Sequence, residues 1–351
     1  MVDIKFAIHR CLCTPTVNVL YRKLFKRNYN MENFAQKKPL EEIHPYKKLH
    51  PWKSLAEFSY DLVKSVFYNE DGLVALNKPY GVSHQRIHNE IGASDIPNFV
   101  DYTLEDALPH IAKQLNYSNL IVVKKPEKYM TGITLLAADS KIVDNVKLAL
   151  RRGNNYTSTY WALTIRVPNK LWGEEHLAIK MKSNPHYELR KPIIVTSWPK
   201  NEQKRGDVKI LNVKFRVLSN STFNLSSLVQ IKSSTIKHHA IRLFAATFLY
   251  CPILGDNIHG SRIQKIGGTY ITVDPFVKYT DFPPKLDKEL LQLLKLNTQR
   301  QPIIPVHIHF RSINLPYFHG KERDLLIEAP LIPPFEWTYQ QLKFDYLKED
   351  K

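Results

Sequence analysis

Short apolar segments with strand character recur along this chain, and only some of them are separated by a helix. The candidate strands lie at residues 67–76, 120–123, 133–137, 160–167, 213–218, 225–232 and 306–313. Amphipathic spacing predicts helices at 104–116, where Thr103 and Asp106 resemble a capping box, from Ser140 up to a cap at Gly153, at 235–250 and at 286–296. Residues 168–212 are rich in Pro, Lys and Asn, and we expect them to be partly irregular. Because strands and helices do not alternate regularly, the pattern favours an α+β fold over a doubly wound sheet.

The first forty residues differ in composition from the rest. They carry eight basic side chains against Asp3 and Glu32, with apolar residues interspersed. A basic, amphipathic, acid-poor start is typical of a mitochondrial presequence, whereas a secretory signal needs a longer apolar run. We therefore predict an import presequence at residues 1–40, with a basic tail that touches RNA directly as the alternative.

The remaining residues divide by composition into three parts. Residues 41–66 begin with scattered His and Pro and predict a connector, and residues 67–335 hold the predicted strands and helices. Residues 336–351 follow as a C-terminal extension. The hydrophobic content of 43% is enough to bury a sizeable core in the central part.

The charge of the chain is strongly positive. There are 50 Lys and Arg against 33 Asp and Glu, a net charge of +17, and removing residues 1–40 with their eight basic and two acidic side chains still leaves +11. Cationic side chains favour polyanions, because each neutralised phosphate releases condensed counterions. Charge alone leaves RNA, DNA and an anionic membrane surface open as partners.

Metal and disulfide frameworks are not supported by the residues available. Cys11, Cys13 and Cys251 are too few for a cysteine-based zinc site or a disulfide network, and two of them lie in the predicted presequence. His307 and His309 share one face of a predicted strand, but two ligands are too few for zinc. No apolar run approaches the roughly 18 residues of a membrane-spanning helix.

Three segments place polar chemistry at the ends of predicted elements. Residues 77–81 form a Pro-Gly turn that carries a cation, and residues 124–132 place Glu127 among lysines in a loop between two strands. Residues 237–242 bring two histidines and two cations to the start of a predicted helix, where anions are favoured. Singly, these segments are also compatible with an ordinary turn, a solvated ion pair and a helix cap.

In this order, the three segments resemble the motifs of the RluA family of RNA pseudouridine synthases, which are approximately N-K-P-x-G, H-R-L-D-x-x-T-S-G and G-R-T-H-Q-I-R followed by P-I-x-G-D. Residues 77–81 match the first motif, and residues 235–242 with 252–256 match the third. Tyr160 stands where the family has K-x-Y-x-A-L, with Ser158 in place of Lys, and residues 306–310 and 329–334 resemble the closing segments. The resemblance covers about residues 67–335.

The resemblance implies a pseudouridine synthase fold, in which helices flank a central, mostly antiparallel mixed sheet with a basic active-site cleft. The departures from the motifs and the presequence-like start look most like the metazoan mitochondrial mRNA pseudouridine synthase branch, whose members are described as RNA pseudouridylate synthase domain-containing proteins. By this resemblance the protein is expected in the mitochondrial matrix.

The second motif is altered at the position that carries the chemistry. Counting back from Gly132 puts Glu127 at the position of the family's catalytic Asp and Lys125 at that of its Arg, while Pro126 replaces a Leu. In the family, the Asp attacks the ribose C1′ of a flipped uridine or assists base elimination, and the freed uracil rotates and rejoins through C5. Such an isomerisation implies no cofactor. Glutamate keeps the charge, but its extra methylene moves the carboxylate by roughly 1 Å, which can cost about a hundredfold in rate.

The resemblance also assigns roles to other residues. Arg242 is the implied ion-pair partner of the acid, and Tyr160 lies against the flipped base. The candidate RNA-binding residues are Lys78, Arg86, Lys124, Lys125, Lys128, Lys237, His238 and His239. The implied partner is mitochondrial mRNA or rRNA, with proteins of mitochondrial RNA granules or of ribosome assembly as further candidates.

Two hypotheses follow. The first is an RNA pseudouridine synthase that uses Glu127, Arg242 and Tyr160. The second is a catalytically impaired RNA-binding or ribosome-assembly factor on the same scaffold, since Glu127 replaces the catalytic Asp and Pro126 stiffens the loop before it.

Overall fold

The structure is a computed structural model that describes residues 43–86 and 101–345. The predicted presequence at 1–40 lies outside the described residues. Residues 43 and 44 belong to a separate N-terminal unit, and the compact unit described below begins at Pro45. Among the described residues, no helix combines the length and the apolar character needed to cross a membrane.

A mixed sheet forms the centre of the described part of the chain. Its strands are β1 (Val66–Glu70), β2 (Leu73–Lys78), β3 (Ile121–Lys124), β4 (Thr131–Ala137), β5 (Ser158–Ile165), β6 (Trp172–Ser183), β7 (Arg190–Val195), β8 (Val208–Asn220), β9 (Ser226–Ser233), β12 (Ile308–Leu315) and β13 (Leu325–Glu328). The order is β1-β2-β4-β12-β5-β9-β8-β6-β7, with β3 also paired to β4 and β13 to β12. Only the β4–β12 pair is parallel. A separate hairpin consists of β10 (Ile263–Ile266) and β11 (Thr269–Thr272).

Helices cover both faces of this sheet. They span Leu55–Lys64, Leu104–Gln114, Ser140–Arg152, Lys200–Arg205, Ala240–Leu243, Lys288–Leu293 and Phe335–Gln341. In β5 every residue is buried, because Tyr160 and Ala162 pack into one core cluster while Trp161 and Leu163 pack into another on the opposite face. A strand buried on both sides is expected to be largely apolar, and β5 is apolar or aromatic from Tyr160 to Leu163, with Ser and Thr near its ends.

Several sequence predictions are confirmed. The mostly antiparallel mixed sheet with flanking helices is the predicted α+β architecture. The helix Leu104–Gln114 begins with the predicted capping box, in which Thr103 Oγ1 accepts from the Asp106 amide at 3.2 Å and Asp106 accepts from the Thr103 amide at 3.0 Å. The helix Ser140–Arg152 ends at Gly153 as predicted.

Residues 168–212, which were predicted to be partly irregular, are irregular only between their strands and helix. These residues form β6, β7, the helix Lys200–Arg205 and the start of β8. Pro192 is tolerated because β7 is an edge strand that pairs only with β6. No strand lies on its other side to need a hydrogen bond from the amide that proline lacks. In the middle of β6, Leu177, Ala178 and Ile179 are buried in succession between more exposed, mostly polar residues, and the polar composition obscured this short apolar run.

The predicted helix at 235–250 is not continuous. A 3₁₀ turn at Lys237–His239 is followed by the helix Ala240–Leu243 and a π-helical turn at Phe244–Phe248. His238 and His239 have φ angles of 56° and 57°, in the left-handed region that a continuing helix cannot include. The predicted helix at 286–296 is shorter, at Lys288–Leu293.

Both segments that flank the predicted domain contain helices with buried side chains. The expected connector at 41–66 contains the helix Leu55–Lys64, which buries Phe58 and Leu62 in the core. The expected extension at 336–351 begins inside the helix Phe335–Gln341, where buried Thr338 bonds the Tyr46 hydroxyl at 2.7 Å and His307 Nε2 at 2.6 Å. Both flanking segments therefore complete the core.

Candidate active site

Glu127 lies in the loop between β3 and β4, and this loop is fastened to the turn that follows β2. The Gly81 amide donates to the Lys128 carbonyl at 2.9 Å, and Lys78 Nζ donates to the same carbonyl at 3.2 Å. Within the loop, the Met130 amide donates to the Glu127 carbonyl at 3.0 Å. These hydrogen bonds join the first motif to the second and so fix the position of the Glu127 loop.

Lys78 has a different place from the predicted RNA contact. Its side chain is buried, and its ammonium also donates to the carbonyls of Pro79 at 2.9 Å and Val82 at 3.0 Å. Burial, with Lys125 and Lys128 nearby, lowers the pKa of Lys78 well below its usual value. Lys78 therefore holds the turn together and is not placed to meet a phosphate.

The strand after Glu127 depends on a glycine. Gly132 has a φ of 111°, and a Cβ atom there would lie 2.4 Å from the Phe310 carbonyl oxygen of β12. Only glycine lets β4 approach β12 this closely in the parallel pair. Gly255 plays a similar part in the second half of the third motif, since a Cβ there would lie 2.0 Å from the Pro305 carbonyl oxygen.

The Glu127 carboxylate is half-buried and contacts a tyrosine. The Tyr129 hydroxyl donates a hydrogen bond to Glu127 Oε2. Burial raises the pKa of Glu127 to about 7, although the Tyr129 hydrogen bond and the Arg242 charge oppose that shift. Glu127 is thus an acid that ionises near neutrality, in the range suited to a general base or a nucleophile.

Arg242 is not the direct ion-pair partner of Glu127 that was predicted. It forms a salt bridge with Asp256, and both side chains are buried. Burial would raise the pKa of Asp256, but the Arg242 guanidinium and His259 hold it well below its usual range. Asp256 Oδ1 also accepts from the amides of Ile258 at 3.1 Å and His259 at 2.9 Å. A buried carboxylate needs a counter-charge, so Asp256 pairs with the Arg242 guanidinium that was predicted to pair with Glu127.

Arg242 still reaches the site through the ring of Tyr129. Its guanidinium carbon lies 4.5 Å from the centroid of that ring, within cation–π range. His239 meets the same ring edge-on, with centroids 5.4 Å apart, and its Nδ1 lies 2.8 Å from His259 Nε2. Tyr129 therefore lies between the acid and the buried Arg242–Asp256 pair.

Tyr160 is close to Glu127 but covered. It stacks on Phe310 with ring centroids 4.7 Å apart, and its side chain is buried. Burial raises the pKa of Tyr160, and the nearby Glu127 charge adds to that increase. The structure thus brings Tyr160 and Glu127 together, with one face of the Tyr160 ring occupied by Phe310.

The remaining predicted RNA-binding residues differ in exposure and in their contacts. Lys124, Lys125 and Lys128 are half-buried in and beside the Glu127 loop, and Lys237 is exposed. His238 Nε2 lies 2.8 Å from Lys209 Nζ, and exposed Arg86 is 3.5 Å from Asp106 in a salt bridge. A cavity of 770 Å³ opens beside the histidines. Its charged and imidazole-bearing lining residues are Lys191, His238, His239, His259, Arg262 and Asp281.

His307 and His309 are packing residues in this structure. His309 Nδ1 lies 2.8 Å from the Thr131 hydroxyl, which ties β12 to β4, and burial lowers the pKa values of His307 and His309 to about 4 and about 3. Within residues 43–86 and 101–345, no group of three or more His, Cys, Asp or Glu is arranged to hold a metal ion.

Sequence reasoning gave no role to Tyr129 or His259. Tyr129 occupies a variable position of the second motif, and the available signal was an aromatic residue two positions from the acid. His259 follows Asp256 by three residues, and nothing in the sequence pairs it with His239. Both contacts depend on the tertiary fold.

Comparison with known proteins gives a consistent result. No family model matches the chain. The chain is 27% identical to the mitochondrial pseudouridylate synthase RPUSD4 of Rattus norvegicus over 96% of its own length and 81% of the relative. It is 26% identical to the mitochondrial mRNA pseudouridine synthase Rpusd3 of Mus musculus over 88% of its own length and 87% of the relative.

A solved structure supports the fold. The structure of human RNA pseudouridylate synthase domain containing 4 superposes with a TM-score of 0.60 at 22% identity, covering 82% of this chain and 96% of that one. The mixed sheet with flanking helices is therefore the pseudouridine synthase fold that the motifs predicted. The chain is thus similar in sequence to both the RPUSD4 and the RPUSD3 proteins, and it shares the fold of the solved RPUSD4 structure.

Proposed function

We propose that this protein is an RNA pseudouridine synthase that isomerises uridine to pseudouridine in mitochondrial mRNA or rRNA, in the mitochondrial matrix. The names of its relatives and the shared fold support the reaction class and the organelle. Residues 1–40 serve as the import presequence in this proposal, because of their basic, acid-poor composition.

One observation carries the proposal at the level of the site. The position of the family's acid holds a half-buried carboxylate, Glu127, which ionises near pH 7 and has Tyr129, Tyr160 and Arg242 around it. A solvated surface glutamate would have neither the burial nor the shifted pKa, and such shifts concentrate at functional sites.

The reaction assigns each group a task. The Glu127 carboxylate attacks C1′ or takes a proton during elimination, and the N1–C1′ bond breaks. After the uracil rotates, the C5–C1′ bond forms as the carboxylate leaves C1′ or, on the elimination route, as the sugar regains its proton; C5 then loses its proton and N1 gains one. The reaction is an isomerisation and needs no co-substrate. Tyr160 supplies an aromatic ring beside the everted base once RNA enters.

RNA is held by cations around the loop in this proposal. Lys125 and Lys128 flank Glu127, Lys124 precedes them and Lys237 is exposed at the third motif. Arg86, His238 and His239 are further candidate contacts, and phosphate contacts of this kind fix the position of an RNA on the protein. Proteins of mitochondrial RNA granules or of ribosome assembly are further candidate partners.

A second function is favoured by one specific observation. Arg242 is engaged by Asp256, so Glu127 has only indirect support from a cation, and its side chain is one methylene longer than the aspartate in the family. A chain with these changes could retain the cleft and bind RNA without turnover, as a ribosome-assembly or other RNA-binding factor.

The two functions are separated by one experiment. The full chain is incubated with mitochondrial RNA and the product is mapped for pseudouridine, alongside E127A, E127D and the control E188A, whose glutamate is exposed on another loop. The proposal predicts modification by the wild type and E188A and none by E127A. RNA binding without modification by the wild type would establish the second function instead.

A further inference from the structure

The Tyr129 hydroxyl is the one side-chain hydrogen-bond donor that the described residues offer to the Glu127 carboxylate. No ion pair joins Glu127 to a cation within the described ranges, since Arg242 is bonded to Asp256. The position of this carboxylate is therefore set by a neutral phenol.

Tyr129 is itself held from several sides. Its side chain is buried, with the Arg242 guanidinium 4.5 Å from its ring centroid and His239 edge-on at 5.4 Å. Burial and the Glu127 charge raise the pKa of Tyr129 well above its usual value, so the phenol keeps its proton and remains a donor. A buried ring that is held by these contacts has little freedom to move its hydroxyl.

We propose that Tyr129 is the positioning residue of this site. Its hydroxyl holds the Glu127 carboxylate, and its ring packs against Arg242, whose own position is fixed by the salt bridge with Asp256. The inference rests on the proposed function. It explains how a longer acid can be held in place although the arginine is bonded elsewhere. The hydrogen bond from the rigid Tyr129 ring to Glu127 Oε2 restricts the side-chain rotation that the extra methylene of glutamate would otherwise allow.

The arrangement also has an electrostatic consequence. The ionisable groups coupled to Glu127 include Tyr129, Tyr160 and Arg242, and Lys125 and Lys128 lie beside it in the same loop. A hydrogen bond to the ionised carboxylate favours that form, so loss of the hydroxyl raises the pKa of Glu127 above about 7. A role confined to packing would leave that pKa where it is.

The test compares Y129F with Y46F in the full chain. Tyr46 is also buried and its hydroxyl also bonds a side chain, Thr338, but it lies in the cluster on the opposite face of the sheet. The Glu127 carboxyl is titrated by carbon-13 NMR without RNA, and kcat and KM for RNA are measured against pH. In Y129F we expect the Glu127 pKa to rise by about one unit, kcat to fall by about tenfold or more and KM to stay within about twofold.

Other outcomes are equally decisive. If the Glu127 titration is the same in Y129F and wild type, or if kcat of Y129F equals that of Y46F, the proposal is overturned. If the wild type modifies no RNA, the proposed function fails, and the titration alone decides whether Tyr129 holds the acid.

A double-mutant cycle guards against a misfolded variant. In E127D the carboxylate withdraws by about 1 Å from the phenol, so the further change Y129F costs little there, although it is costly in the wild type. Equal costs of Y129F in both backgrounds would show that the hydroxyl acts on packing and not on the acid.

Discussion

At the scale of single residues, Glu127 serves the proposed chemistry at the expense of stability. Its surroundings raise its pKa from 4.5 to about 7, mainly by burial. The folded protein therefore keeps a proton on this group in a pH range where the unfolded chain has released it. Stability from this protonation is present below about pH 4.5 and is lost as the pH rises through about 7.

We predict that E127Q becomes more stable relative to the wild type as the pH rises. Glutamine keeps an oxygen that can accept from Tyr129 and removes the charge that burial disfavours. The melting temperatures of both proteins at pH 5 and pH 8 give the comparison, and the difference should be larger at pH 8 in favour of E127Q. A difference independent of pH would mean that Glu127 is ionised as easily as a surface glutamate.

The buried Arg242–Asp256 pair gives a second prediction. In D256N the guanidinium loses its counter-charge inside the core, which should lower the free energy of unfolding by about 3–5 kcal/mol. The matched change D281N removes a partner of Lys191, 3.1 Å away, where the aspartate is exposed, and should cost less than about 1 kcal/mol. Urea denaturation measures both, and similar costs would contradict the structural role given to Asp256.

At the scale of elements, the site depends on how closely β4 approaches β12. Gly132 sits opposite Phe310 in that parallel pair and places the Glu127 loop directly before the strand. A side chain at this position forces the strands apart and moves the loop with them.

We predict that G132A is far more destabilising than G206A. Both glycines have positive φ angles, 111° and 80°, but a Cβ atom at Gly206 meets nothing within 4 Å. G206A should cost about 1 kcal/mol from backbone strain, and G132A at least about 3 kcal/mol because its Cβ clashes with the β12 backbone. Thermal denaturation of the two variants tests this, and comparable losses would refute the close approach.

Local signals predicted some elements well and others poorly. The Thr103–Asp106 capping box and the Gly153 cap were readable because the physics of a helix end lies within a few residues. The strands β6 and β7 were missed because their stability comes from pairing with β8 and from the edge position of Pro192. The break at His238 and His239 carries no local signal, since neither residue is a glycine.

The same limit applied to the site. Motif positions located Glu127, Tyr160 and Arg242 near one another, which the structure shows. They did not reveal that Arg242 bonds Asp256 or that Tyr129 bonds Glu127. The competition of two acids for one guanidinium is settled by burial, and burial is a property of the fold.

At the scale of the whole molecule, the excess of cations should make RNA binding depend on salt. Each neutralised phosphate on single-stranded RNA contributes about 0.7 to the slope of log affinity against log salt concentration. We predict that K125A lowers the slope by about that amount, since Lys125 adjoins the acid. Filter binding from 50 to 200 mM salt measures it, with exposed Lys288 on the helix Lys288–Leu293 providing the control K288A.

The central claim is that Glu127 drives exchange of the uracil bond from N1 to C5. The exchange must expel the hydrogen at C5, so RNA labelled with tritium at C5 of uridine should release tritium to water in the presence of the full chain. The account predicts release by the wild type and by E188A, and release by E127A at the background rate. Release by E127A at the wild-type rate would contradict the claim, and so would the absence of release by a wild-type protein that binds the RNA.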